Sequence, residues 1–369
     1  MYLPFNSTTE LVELLSAGHP NQVSWLLCFS YKHADKLPSL FEAAHSRGLQ
    51  FCGGLFPGLI DGATPKDDGV LAIPLPEGSR VVTATISRDS VEWTEELPPL
   101  TSESSAKSSM LLFVDCLSPG ITRFLEEVYD QYGTRIHYAG AGAGYANLQP
   151  KPVIFTEAGF IPHGGLLILM AVEAISSVQH GWKRIAGPFI ATRTNGNIIQ
   201  ELNWESAGSI YRGEVESIAL ELKGKPVFPD LNSRFPLSIG KQSSEDVVRD
   251  PIEINSSDEI VVLSDVPENS AIYISEGSKE TIVEAVRSAV RECDTSFQIS
   301  FCFVSDCYSR ALMLGDDIEE ELEAACEELK KFTNAPLQGV LALGEICGNG
   351  RSNLEFYNKT FVISVAHKV

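Results

Sequence analysis

The chain has 369 residues, 44% of them hydrophobic, and a formal net charge of −21. A chain this long exceeds the size at which one core usually stops growing, so two domains are expected. The acidic balance, with no clustered Lys and Arg, excludes a phosphate-binding nucleic-acid surface and argues against an anionic membrane surface.

The segment Met1-Tyr2-Leu3-Pro4-Phe5-Asn6 lacks the basic region and apolar core of a secretion signal. No window holds about eighteen uninterrupted apolar residues, so no membrane insertion is expected. The residues from Val23 to Ser30 read as a buried strand. A helix follows near Asp35 to Ser46, with Leu37, Leu40, Phe41 and Ala44 on one face. Phe51-Cys52-Gly53-Gly54 is a Gly-rich loop, and strands are expected near Gly69 to Leu75 and Ser79 to Ser87. The Ser- and Thr-rich stretch from Thr101 to Lys107 reads as a solvated loop.

The same order then recurs. Met110 to Val114 is a strand, and Ser118-Pro119 starts a helix with Ser as N-cap and Pro at its first position. Ile121, Phe124, Leu125 and Val128 form its apolar face, and Gly133 stops it. A second Gly-rich loop, from Tyr138 to Gly144, precedes strands near Val153 to Thr156 and Gly165 to Ala171. This order predicts an internal duplication of the first half.

The stretch from Gly224 to Glu245, rich in Pro, Gly and Ser, reads as a linker. Two short strands are expected between Val261 and Ile274, then a helix from Ser278 burying Ile282, Ala285, Val286 and Ala289. Gln298 to Val304 is a strand. An acidic helix from Asp316 to Phe332 buries Ile318, Leu322, Ala325 and Leu329. Its acidic first turn and Lys330-Lys331 at the end suit the helix dipole. Gly339 to Leu343 and Phe361 to Val365 complete the strands.

The motifs of interest follow apolar runs. Phe301-Cys302-Phe303-Val304 leads into Ser305-Asp306-Cys307-Tyr308-Ser309-Arg310. Gly339-Val340-Leu341-Ala342-Leu343 leads into Gly344-Glu345, and Phe356-Tyr357-Asn358-Lys359-Thr360 precedes the last strand. Strand ends are where a scaffold fixes ligand-contacting groups. This order resembles the C-terminal half of the FIST family, a small-ligand sensory module of bacterial signalling proteins. His180-Gly181-Trp182, Gly187-Pro188, Thr192-Arg193-Thr194 and Glu201-Leu202 resemble the segment that closes the family's N-terminal half. The resemblance covers nearly the whole chain. It implies an α+β fold of two domains, each with mixed β-sheets covered by helices, over residues 20–215 and 216–369.

The resemblance places Cys307 and Arg310 on the family's Cys-x-x-Arg signature. A guanidinium suits a ligand carboxylate through a two-pronged hydrogen bond, or else satisfies loop carbonyls. Glu345 is placed to meet a ligand ammonium, or to lock two strand ends in an ion pair with Arg310. Either buried charge alone costs several kcal/mol, so a partner is expected in both cases. Asn358 and Thr360 follow the family's Asn-x-Thr pattern, with Tyr357 where the family often has His. His180 either anchors a strand turn or serves as an axial haem ligand, as reported for some FIST-like proteins.

The other histidines show no paired metal spacing, so no zinc site is expected. Gly140-Ala141-Gly142-Ala143-Gly144 matches neither the dinucleotide fingerprint nor the phosphate loop. Close backbone approach explains its glycines better. The eight cysteines form no Cys-x-x-Cys pair and read as buried thiols in a reducing cytoplasm. The expected function is non-catalytic binding of an amino acid or small carboxylate in intracellular signalling, relayed to a partner protein, with no resident cofactor. Two alternatives are a haem-based gas or redox sensor using His180 or Cys307, and an enzyme with Cys307 as nucleophile.

Overall fold

The computed structural model describes residues 1–18, 24–100, 108–242, 244–350 and 353–367. The expected loop from Thr101 to Lys107 lies outside the described residues. The fold is α+β, and the chain divides into two compact units. One comprises Met1–Val178, Arg287–Phe356 and Phe361–Val369; the other comprises Gln179–Val286 and Tyr357–Thr360. The last part of the chain, from Arg287, groups with the first 178 residues, because Leu337–Ala342 pairs with Gly58–Asp61 and Glu345–Gly348 with His137–Ala143 as well as with the strands nearer in sequence.

The first unit lays down one motif three times. In the first copy, strand Trp25–Ser30 is followed by helix Leu37–Arg47 and by strand Phe51–Phe56, parallel to the first strand. A hairpin of Gly58–Asp61 and Thr64–Lys66 comes next, then strand Val70–Pro74, antiparallel to the first. The second copy repeats this with Ser109–Asp115, helix Ile121–Tyr132, His137–Ala143, the hairpin Ile154–Thr156 and Gly159–Ile161, and Gly164–Met170. The third uses Ile299–Cys307, helices Tyr308–Leu314 and Ile318–Leu329, Leu337–Ala342, the strands Glu345–Gly348 and Glu355–Tyr357, and Phe361–His367.

Each copy gives its hairpin away. The hairpin of the first copy pairs with Leu337–Ala342 of the third, that of the second with Phe51–Phe56 of the first, and that of the third with His137–Ala143 of the second. The opposite edges are filled the same way. Arg80–Ile86 pairs with Gly164–Met170, Ala174–Gln179 lies beside Phe361–His367, and Tyr2–Leu3 pairs with Val70–Pro74. The three sheets therefore share one strand order, and the duplication expected from sequence extends to a third copy. First strands such as Trp25–Ser30 and Ser109–Asp115 are buried along their whole length, which is why they read as unbroken apolar runs rather than alternating ones. Phe56, Phe113 and Phe303, one from each copy, meet edge to face in sequence with ring centroids 6.0 and 5.7 Å apart.

The Gly-rich segments are strands, not loops. In each copy a glycine of the second strand faces a carbonyl of the first. A Cβ at Gly53, Gly140 or Gly339 would fall 1.8, 1.8 or 1.9 Å from the carbonyl oxygen of Leu27, Leu112 or Val304. Only hydrogen fits there. The helix of the second copy starts after Gly120 rather than at Ser118, and Gly133 follows its end as expected.

The second unit is an eight-stranded sheet. Its path runs Val247–Arg249, Leu237–Ile239, Ala271–Glu276, Lys183–Asn195, Ile198–Leu202, Ile260–Val262 and Pro251–Ile254, with Glu205–Ser206 paired to Ile198–Leu202. Helix Ala207–Ile218 buries Tyr211 and Val215 against it. The stretch from Gly224 to Glu245 is no linker: Val227, Leu231, Phe235 and Leu237 belong to this core. Its Pro and Ser content obscured apolar residues spaced four apart at Val227, Leu231 and Phe235.

Candidate functional site

The register between strands makes the three copies comparable residue by residue. Leu27 faces Gly53, Leu112 faces Gly140, and Val304 faces Gly339. Two residues further along the first strand stand Phe29, Val114 and Asp306. The incoming hairpins align in the same way. Leu59, Ile154 and Glu345 are the residues that face Val340, Gly54 and Ala141, each one step past the glycine. Two copies thus carry apolar side chains at both positions, and the third carries carboxylates.

These two acids lie in a polar cluster inside the third copy. The strand Ile299–Cys307 runs straight into helix Tyr308–Leu314, which places Arg310 four residues after Asp306 across the strand–helix junction. Arg310 Nε lies 3.2 Å from Asp306 Oδ1, and its Nη2 bonds Glu321 Oε1 from helix Ile318–Leu329. Arg310, Asp306, Glu321 and Glu345 are all 0% exposed. Burial pushes the Asp306 carboxyl well above the ordinary range. Glu321 and Glu345 add to this as like charges, while Arg310 and, less, the nearby Cys307 backbone N–H oppose it. Burial also raises Glu321, against the pull of Arg310. For Arg310 burial disfavours the charge, but Glu321 and Asp306 outweigh it and hold the guanidinium above its usual value.

The sequence-predicted residues fall as follows. Arg310, Glu345 and Cys307 belong to the third copy. Cys307 is buried just before helix Tyr308–Leu314, with its Sγ 3.2 Å from Ser309 Oγ. Asn358 and Thr360 are buried in the Tyr357–Thr360 segment of the second unit. Between them Lys359 has a φ of 56°, and its Nζ lies 3.3 Å from Asp250 Oδ2, both side chains being almost fully buried. Asn232 Nδ2 donates to Asp250 Oδ1 at 3.3 Å, and Lys359 Nζ sits 5.4 Å from the Trp182 ring. His180 is buried, with Nδ1 accepting from the Trp182 backbone N–H at 2.9 Å and Nε2 3.3 Å from Glu245 Oε1.

Sequence reasoning missed Asp306, Glu321, Asp250 and Lys359 as buried charges. Glu321 carried a signal. It lies three residues after Ile318 and four before Ala325, so helical periodicity puts it on the apolar face. Asp250, between Arg249 and Pro251, reads as a turn rather than as an enclosed charge. Lys359 carried no such signal.

Comparison with protein families gives a match to the FIST N domain over residues 24–205 and to the FIST C domain over residues 210–348. No curated protein matches the chain.

Proposed function

We propose, from the premise that this chain belongs to the FIST family of sensory and signal-transduction modules, that it is a non-catalytic cytoplasmic sensor of a small amino acid, relaying its state to a partner protein. The single observation behind this reading is the polar third copy. Phe29 and Val114 become Asp306, and Leu59 and Ile154 become Glu345, in a fold that closes twice without either charge. Buried charges are expensive, and clusters of perturbed groups concentrate at functional sites. The charge count sets the ligand class. Two carboxylates pair with one guanidinium and a third, Glu345, bears on Asp306, so an ammonium-bearing ligand improves the balance and a plain carboxylate worsens it. Arg310 and Glu345 are the charged contacts of this site, with Cys307 beside them.

A thermal-shift screen of amino acids and small carboxylates tests the reading. A ligand at a hundred times its Kd stabilises the native state by about 2.7 kcal/mol. Replacing Arg310 with Ala strands the buried carboxylates of Asp306 and Glu321 and endangers the fold, so Glu345→Gln is the informative variant. It keeps shape, removes one charge, and is expected to melt near wild type while losing the ligand shift. A screen without a hit, or a Glu345→Gln variant that responds fully, overturns the proposal.

A further inference from the structure

The cluster in the third copy has one more acid than any simple pairing can absorb. Arg310 engages Asp306 through Nε and Glu321 through Nη2, on different edges of one guanidinium. The two carboxyls also meet each other directly. Among the described residues, neither oxygen of Asp306 nor Glu321 Oε2 has a donor at hydrogen-bonding geometry, and both side chains are fully buried. Among the described residues, the charged groups that face the pair are Arg310, on the same helix–strand junction, and Glu345, which opens strand Glu345–Gly348. Cys307 adds a backbone N–H. Two touching carboxylates cannot both stay ionised out of water when only one cation is beside them and a third acid is near. A proton between them supplies the missing donor and lowers the charge of the enclosure.

We propose that this cluster is a site for one exchangeable monocation, held as a proton between Asp306 and Glu321 in the free protein and replaced by the ligand's ammonium group on binding. The proton stands on the cluster geometry alone, whereas the exchange rests on the ligand reading above. The tests therefore start without any ligand.

The direction with pH follows from where the proton is held. Both groups are raised in the folded state. The native protein keeps a proton that the unfolded chain has lost above the ordinary carboxyl range, about pH 4. Stability therefore falls as pH rises above that range, by about tenfold in the folding equilibrium constant per pH unit for one proton. Urea unfolding between about pH 5 and 7 measures the slope. Glu321→Gln, which cannot share a proton as an acid, is expected to flatten it by about one proton. Glu319→Gln, on the exposed face of the same helix, leaves it unchanged. If Glu321→Gln does not fold, the infrared carbonyl band of a protonated carboxylic acid in wild-type protein at pH 7 decides the matter. A variant slope equal to wild type, or no protonated-acid band, overturns the proton. If the proton is present but binding of a ligand found in the amino-acid screen releases none, read by calorimetry in buffers of different ionisation enthalpy, the exchange is overturned and the proton remains.

Discussion

Replacing any one of Gly53, Gly140 and Gly339 with Ala is expected to cripple folding, and to about the same degree. Each new Cβ lies 1.8 to 1.9 Å from a carbonyl oxygen of the neighbouring strand, whereas real Cβ atoms stay beyond 3.0 Å. The strands must separate by about 1.2 Å. An N–H···O bond of about 2.9 Å then stretches past bonding distance. Two or three ladder bonds are lost at about 1 kcal/mol each, and at least one buried group is left unsatisfied for about 1–3 kcal/mol more. The total, about 3–6 kcal/mol, is a large part of the usual stability of a domain. Gly213, exposed inside helix Ala207–Ile218 with nothing within 4 Å of its Cβ position, is the control. Gly213→Ala should gain about 0.5–1 kcal/mol, because it removes backbone freedom from the unfolded chain. Urea denaturation of the four variants provides the comparison. If one of the three strand glycines tolerates Ala within about 1 kcal/mol, the three positions are not equivalent and the threefold reading loses its strongest support.

Two further outcomes are expected. Lys359→Ala leaves Asp250 buried without its cation and should cost about 3–5 kcal/mol in urea unfolding, while the double variant Asp250→Leu/Lys359→Met recovers most of the loss; a single variant as stable as wild type contradicts this. Burial pushes the thiols of Cys28, Cys52, Cys302 and Cys347 far up, so a chromogenic disulfide reagent at pH 8 should modify them only after unfolding, and fast reaction of any of the four in native protein argues against the packing described.

Most of the element order was legible, because each first strand is an apolar run and each helix carries a stripe of period 3.6. The strands from His137 and Phe51 were mistaken for loops because glycine normally punctuates; here its missing Cβ permits close approach, a tertiary fact with no local trace. The third copy escaped notice for a related reason. Its helix is split at Gly315, and the second unit separates it from the other two copies along the chain. Within the site, Arg310 and Glu345 stood out as charges closing apolar runs. Asp306 did not, since a lone acid at a strand end usually faces water. Its burial follows from Glu321 and Arg310 arriving from other elements, which only the folded chain brings together.

The exchange of hairpins has a consequence for how the polypeptide is made. Asp61 of the first hairpin meets Gln338 across 277 residues of chain, so the earliest sheet to emerge from a ribosome offers a hairpin whose docking edge has not yet been synthesised. Until the C-terminal strands arrive, that hairpin and the edge of His137–Ala143 that later takes Glu345–Gly348 both lack their partners, and open strand edges invite pairing with other chains. Assembly of the first unit is therefore a late, ring-closing event dominated by contacts distant in sequence, the class that folds slowly. Truncation anywhere in the last copy should leave an adhesive, incomplete ring rather than a smaller folded protein.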